Sequence, residues 1–326
     1  MTRPRVGFLG VGWIGRHRMQ AMIDAGAVQA VAVADASPDA AEKAARQAGC
    51  AAVEGLDELL DLDLDGIVVA TPSALHAEQA LQALAAGCAV FCQKPLGRTA
   101  DEVRAVVGAA RAADRLLEVD LSYRFTEAAR RVRELVRDGA LGRVYAADLT
   151  FHNAYGPDKP WFYDPALSGG GCVMDLGVHL VDLALWTLDF PSVQTVRGRL
   201  YAAGEPLGGR TCVEDYATAE LALAGGVSVR LACSWNLPAG RDAAISAALY
   251  GTGGGAELSN VGGSFYDFEA WRCEGPKREA LCAPPDAWGG RAAVAWAQRL
   301  AAGERYDPQA ERLVAVAETL DRIYGR

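Results

Sequence analysis

Arg5-Val6-Gly7-Phe8-Leu9-Gly10-Val11-Gly12-Trp13-Ile14-Gly15 is the stretch whose reading decides the fold of the first half of this chain. A short apolar run ends in G-x-G-x-x-G and leads straight into helix-like sequence over 14–25. A dinucleotide-binding strand–turn–helix needs this order. Gly10 makes the tight turn, Gly12 lets the backbone approach a pyrophosphate, and Gly15 lets helix and strand touch. The phosphates would rest on amides at the helix start, around Trp13 and Ile14. The motif is short, so a flavin site or a plain structural turn stays open on these glycines alone. Asp35 narrows the choice. It closes Val31-Ala32-Val33-Ala34-Asp35 twenty residues after Gly15, where a carboxylate accepts hydrogen bonds from the adenosine ribose. A 2′-phosphate there would be repelled, and no Lys or Arg follows until Lys43. NAD is expected over NADP.

Outward from this stretch, apolar runs of strand length recur at 28–34, 66–70, 88–92 and 116–121. Helix-like sequence separates them at 40–48, 74–86 and 100–113. Alternation of this kind implies an α/β domain, a doubly wound parallel sheet covered on both faces. Ser37-Pro38, and Thr99 with Glu102 three residues on, mark helix starts. Past residue 121 the rhythm changes. Helices are expected at 127–138, 172–188, 291–302 and 308–324. Strands are expected at 195–201, 216–223, 227–234, 244–250 and 256–260. Short successive strands imply a largely antiparallel sheet. Two domains follow, 1–121 and 122–326, with the C-terminal helix expected to pack back on the first.

Composition agrees with a globular chain: 51% hydrophobic and 22% charged residues over 326 positions. The net charge is −9, spread as −5 over 1–120 and −4 over the rest, so no basic surface is offered to nucleic acid or anionic lipid. No apolar run reaches the ~18 residues a membrane span needs. Glycines and Arg16-His17-Arg18 interrupt the apolar start, so no signal peptide is expected. The eight Cys are dispersed without a CxxC, which reads as buried thiols in a reducing cytoplasm and no structural zinc.

Two constellations carry chemistry. Only four residues are Lys, and Lys94 directly follows the run Cys88–Cys92, at a strand end where open parallel sheets bind ligands. A partly desolvated lysine, unlike arginine, can exchange a proton. A solvated loop lysine is the competing reading. Asp175, His179 and Asp182 are spaced i, i+4, i+7, on one helix face behind Gly169-Gly170-Gly171. A carboxylate beside an imidazole fixes its tautomer and raises its basicity, as a general base requires. A capping Asp with a satisfied core His competes, and no distant cluster completes a metal site.

In ordered combination these residues resemble the Gfo/Idh/MocA oxidoreductases, the glucose–fructose oxidoreductase and inositol dehydrogenase relatives. The resemblance runs through Gly10–Gly15, Thr71-Pro72-Ser73-Ala74-Leu75-His76 and Gln93-Lys94-Pro95, where the family usually has Glu-Lys-Pro. It continues through Tyr123-Arg124-Phe125, the segment from Gly169 to Asp182, and Gly251-Thr252-Gly253-Gly254. It implies a Rossmann domain followed by an α/β domain with a large, open, mostly antiparallel sheet for substrate binding and oligomerisation. It carries over Lys94, Asp175 and His179 as catalytic residues. Thr71, Pro72, His76, Gln93 and Lys94 join Gly10, Gly12, Trp13, Ile14, Gly15 and Asp35 toward the cofactor. Tyr123, Arg124, His152, Asn153 and Trp161 are implied substrate contacts, although Trp161-Phe162-Tyr163 also reads as packing aromatics. The implied activity is NAD-dependent oxidation of a secondary alcohol of a sugar, inositol or related polyol, in a cytoplasmic homodimer or homotetramer. An NADP-linked reductase, a lyase or glycosidase using NAD transiently, and a non-catalytic NAD-binding regulator are the rival readings. Gln93 departs from the pattern and loses a carboxylate beside Lys94.

Overall fold

The computed structural model describes residues 3–208 and 211–326, so the first two positions of the expected first domain lie outside it. In chain order the first elements are β1 (Arg5–Leu9), α1 (Trp13–Asp24), β2 (Gln29–Ala34), α2 (Pro38–Ala48), β3 (Ala51–Val53), α3 (Leu56–Leu60), β4 (Gly66–Val69), α4 (Ser73–Ala85), β5 (Ala89–Cys92), α5 (Ala100–Ala113) and β6 (Leu117–Val119). Then come α6 (Glu127–Arg137), β7 (Val144–Asn153), α7 (Pro165–Ser168), α8 (Val178–Thr187), β8 (Val193–Ala202), β9 (Glu205–Pro206), β10 (Tyr216–Leu223) and β11 (Val227–Ser234). The last are β12 (Ala243–Gly251), β13 (Gly255–Asn260), β14 (Phe268–Glu274), β15 (Lys277–Cys282), α9 (Arg291–Ala301) and α10 (Glu311–Tyr324). Two compact units result: Met1–Ser122 with Gly289–Val314, and Tyr123–Trp288 with Ala315–Arg326.

The first unit holds a six-stranded parallel sheet in the order β3-β2-β1-β4-β5-β6. Every residue of β4 and β5 is buried, as strands covered on both faces must be. The helix starts follow their caps. Ser37 accepts from the Ala40 amide with Pro38 in the first turn, so α2 begins two residues before the expected start. Thr99 accepts from the Glu102 amide, while Glu102 reaches back to the Arg98 amide at 2.6 Å. The sequence reading passed over β3 and α3, and their brevity is the reason. Three residues at a sheet edge and five in a helix show no period. The segment grouped with this unit from the C-terminal part carries α9, whose Trp296 is fully buried. Trp296 packs on Phe91 with ring centroids 5.8 Å apart. A Cβ on Gly66 would stand 2.8 Å from its ring, so β4 starts on glycine to admit the indole.

The second unit is a nine-stranded sheet in the order β15-β14-β13-β12-β7-β11-β10-β8-β9. All its pairings are antiparallel except β7 with β11. Burial alternates along β10 and β12, so one face is covered and the other open. α6 and α8 pack on the covered face. β7 sits at the centre of this sheet and was missed, although Ala147, Leu149 and Phe151 alternate with Asp148 and Thr150 as a half-buried strand should. The expected helix over 172–188 forms as one run to Thr187, but it opens with a π-helical turn, Val173–Gly177, ahead of α8. Gly177 lies where this wide turn meets the sheet, and a Cβ there would be 3.4 Å from the Cys233 sulfur. The cysteine expectation holds in part. All eight are free, yet only Cys88, Cys92, Cys172 and Cys233 are buried. No helix among the described residues is long and apolar enough to cross a membrane.

Trp296→Ala should lower the unfolding free energy by about 3–5 kcal/mol, the usual cost of emptying a buried indole site. Urea denaturation followed by circular dichroism measures it, and a loss below about 1 kcal/mol would remove α9 from the core of this unit.

Candidate functional site

The carboxyl edge of the parallel sheet is built on close backbone contacts. Gly10 adopts φ +84°, and a Cβ on it would lie 2.5 Å from the Ala70 carbonyl carbon. A Cβ on Gly15 would lie 2.0 Å from the Gly10 oxygen. Neither position admits a side chain. Gly12 is different, because open space surrounds its absent Cβ and α1 begins after it with no side-chain cap. The first amides of α1 are therefore presented outward, unclaimed by a capping side chain, as a pyrophosphate requires. Trp13 is 59% exposed beside them. Asp35 at the end of β2 accepts from the Val11 amide at 2.7 Å and from the Ser37 amide at 2.9 Å. The carboxylate is thus fixed beside the glycine turn, with lone pairs left for a ribose diol. These residues fit a dinucleotide.

Two loops at the same sheet edge frame Lys94. His76 is buried, with Nδ1 2.7 Å from the Pro95 oxygen and Nε2 2.6 Å from the Thr71 oxygen. Its ring ties the loop after β4 to the loop after β5, and burial holds its pKa below the ordinary histidine value. Thr71 in turn donates its hydroxyl to Gln79 at 2.6 Å. Gln93 donates its amide to Asp120, which also accepts from Arg18 Nε at 2.6 Å in a buried ion pair. Asp120, from the end of β6, stands against the Gln93 side chain, already paired to a guanidinium. A glutamate at 93 would face that carboxylate, so glutamine is the residue that fits. Lys94 itself is half-buried.

In the second unit the Gly169-Gly170-Gly171 run delivers the π-helical turn. Glu214 holds it: its carboxylate accepts from the Val173 amide at 2.9 Å, the Gly171 amide at 3.0 Å and the Tyr324 hydroxyl at 2.7 Å. A Cβ on Gly171 would sit 1.9 Å from the Glu214 backbone oxygen, so the approach demands glycine. Asp175 lies within the wide turn and receives the Trp235 indole N–H at 3.0 Å. His179 lies in α8, 7% exposed, its ring 4.7 Å from that of Tyr123. Phe268 and Trp288 pack around the same tyrosine.

The expected trio separates here. Both Asp182 oxygens accept from Arg124, so Asp182 anchors the Tyr123-Arg124-Phe125 turn to α8. Burial pushes the Asp182 carboxyl up against the pull of that arginine. His152 Nδ1 meets the Ser234 hydroxyl at 2.7 Å and its ring stacks on Tyr216. The Asn153 side-chain oxygen Oδ1 is buried and meets no donor among the described residues. Trp161 stacks on Phe162 with centroids 3.8 Å apart. No group of three His, Cys, Asp or Glu among the described residues is placed to hold a metal ion. Sequence reading missed Asp120, Glu214 and Trp235. An isolated acid or indole has no spacing to betray it, and only the fold reveals what each one holds.

Comparison with known proteins follows the same division. Residues 4–121 match the family profile described as oxidoreductase family, NAD-binding Rossmann fold. Residues 129–257 match the GFO/IDH/MocA C-terminal domain. D-glucoside 3-dehydrogenase of Escherichia coli (strain K12) is 33% identical over 177 residues, 53% of this chain and 50% of that protein. dTDP-3,4-didehydro-2,6-dideoxy-alpha-D-glucose 3-reductase of Streptomyces violaceoruber is 33% identical over 240 residues, 72% of this chain and 69% of that protein. The chain spans about half the length of the first curated relatives it matches. The crystal structure of GenD2 from gentamicin A biosynthesis, in complex with NAD, superposes with a TM-score of 0.84 at 27% identity, covering 100% of this chain and 94% of that one.

Asp35 should make NAD bind at least roughly ten-fold more tightly than NADP, a difference of about 1.4 kcal/mol. Fluorescence titration of both nucleotides measures the ratio, and Asp35→Ser should narrow it. Equal or tighter NADP binding would contradict the role given to Asp35.

Proposed function

This chain belongs to the GFO/IDH/MocA oxidoreductase family, and on that premise we propose that it is an NAD-dependent dehydrogenase oxidising a secondary alcohol of a sugar, inositol or related polyol. One observation carries the reading: Lys94 follows β5 at the same carboxyl edge of the parallel sheet where the β1 end presents the uncapped α1 amides. A proton-exchanging side chain and a pyrophosphate cradle on one sheet edge are what hydride transfer needs.

The Gly10–Gly15 turn and Asp35 would hold NAD, which would supply the acceptor for a hydride from the carbinol carbon. His179 accepts the hydroxyl proton on its imidazole. Lys94 donates a hydrogen bond to the reacting oxygen and offsets the negative charge that grows on it. Asp175 orients His179 and favours its protonated form once the proton has arrived. Gln93 and His76 hold the backbone on either side of Lys94, which limits the positions its amine samples. The buried Asn153 oxygen accepts from a substrate hydroxyl, a contact that a polyol supplies. The relatives act on sugars by their names, D-glucoside and a dideoxy-glucose derivative among them, and this supports the substrate class.

A homodimer or homotetramer in the cytoplasm is part of the same reading. On the open sheet face Arg230 makes two 2.6 Å hydrogen bonds to Asp148 on β7, while Glu220 lies between Arg230 and Arg197 in register. Acid and base thus alternate across four strands, and a two-fold-related copy would meet them with opposite signs. The eight free cysteines support a reducing compartment.

Lys94→Ala should lower turnover by roughly 10²–10⁴ while NAD affinity stays within a few-fold, the range of a positioned acid–base group. In His179→Ala turnover should fall likewise, and the rise of kcat/KM from acid pH should disappear because the base must be neutral to take a proton. Steady-state kinetics across pH on each variant reads both effects. Retained turnover with an unchanged acid limb would assign His179 to packing.

A further inference from the structure

Trp235 follows β11 directly, and its ring is only 2% exposed. An indole has one polar hydrogen, and burial obliges it to find an acceptor. Trp235 donates that hydrogen to Asp175 Oδ2 at 3.0 Å. A hydrogen bond to a carboxylate is stronger than one between neutral groups, and it restricts the carboxylate's rotation about its last bond. The ring is itself held in place. Tyr163 meets it edge-on with centroids 5.6 Å apart, and Phe162 does so at 6.3 Å and 86°. The neighbouring Asn236 accepts from the Gly156 amide at 2.9 Å, and Tyr163 closes the loop by donating to the Pro157 oxygen at 3.0 Å. Segment 156–163 is therefore fastened to Trp235-Asn236 at both of its ends.

From this geometry we infer that Trp235 is a positioning residue of the site: it fixes the Asp175 carboxylate through its indole N–H and couples that carboxylate to the packing of segment 156–163. The inference rests on the proposed role of Asp175. Trp235 does not need to touch substrate to act. By holding one carboxylate oxygen it limits the orientations that Asp175 can adopt. A ligand that orders or displaces Trp161-Phe162-Tyr163 would alter the indole, and through it the acid–base pair.

Trp235→Phe keeps the ring and removes the N–H. With a polyol that the protein turns over, kcat should fall roughly ten-fold, KM and NAD affinity should stay within about two-fold, and the acid limb of the pH profile should shift. In an Asp175→Ala background the same substitution should change kcat by less than about two-fold, since the acceptor of the indole N–H is already gone. Phe162→Leu, on the exposed segment, should lower kcat by a few-fold in the wild-type background alone, which keeps the test open if Trp235→Phe folds poorly. Separately, the indole N–H resonance of 15N-tryptophan-labelled protein, assigned from its loss in Trp235→Phe or from its response to Phe162→Leu, should move in Asp175→Asn. An unmoved indole resonance overturns the inference, and so does equal loss of kcat in both backgrounds. Were the resonance to move as expected while no polyol was oxidised, the Trp235–Asp175 linkage would stand and the dehydrogenase reading would fall.

Discussion

Gly10, Gly12 and Gly15 impose the constraint on which everything at the sheet edge depends. Gly10 and Gly15 approach so closely that neither tolerates a Cβ, which places the start of α1 directly above the end of β1. Gly12 has space around it and offers no capping oxygen, so the amides of the first turn stay available. Amides at an exposed, uncapped helix start are left to solvent until a ligand supplies an acceptor. Asp35 is held against the same turn by the Val11 amide, so the turn and the acid proposed to meet the ribose form one piece. Lys94 then inherits its place from the strand order, because β5 ends on the same side of the sheet as β1.

The second unit solves a related problem with a different device. Asp175 lies on a widened helical turn and His179 in the helix that continues it, and the first amides of that run, as at any helix start, need outside acceptors. A buried carboxylate, Glu214, takes the amides of Gly171 and Val173 and is bound in turn by Tyr324. Burial pushes the Glu214 carboxyl above its usual range, while its donors oppose the shift. The C-terminal helix thereby reaches the turn through one hydroxyl.

Much of this was legible in the residues. Strong periods and strand-end glycines announced β1, β2, β4 and β5, since buried parallel strands are continuous apolar runs bounded by turns. The pairing of Gly10–Gly15 with Asp35 announced the nucleotide site because both ends of that motif have a fixed physical task. Position Lys94 followed from the strand order. The π-helical turn was hidden, since a 3.6-residue period and a widened turn share the same apolar sequence over a few residues. Asp120, Glu214 and Trp235 were hidden for another reason. Each acts on a partner far along the chain, such as Asp120 on Arg18, and no local pattern records such a pairing. The meaning of Gln93 could be read only once Asp120 stood beside it.

The central claim is net hydride transfer from a polyol carbon to NAD. Isotope transfer tests it most directly. A polyol carrying deuterium on the reacting carbinol carbon is incubated with the protein and NAD, and both products are read by mass spectrometry. The account predicts one deuterium in each NADH formed, with one equivalent of ketone. Deuterium retained in a cleaved or rearranged sugar, with no net NADH, would contradict it.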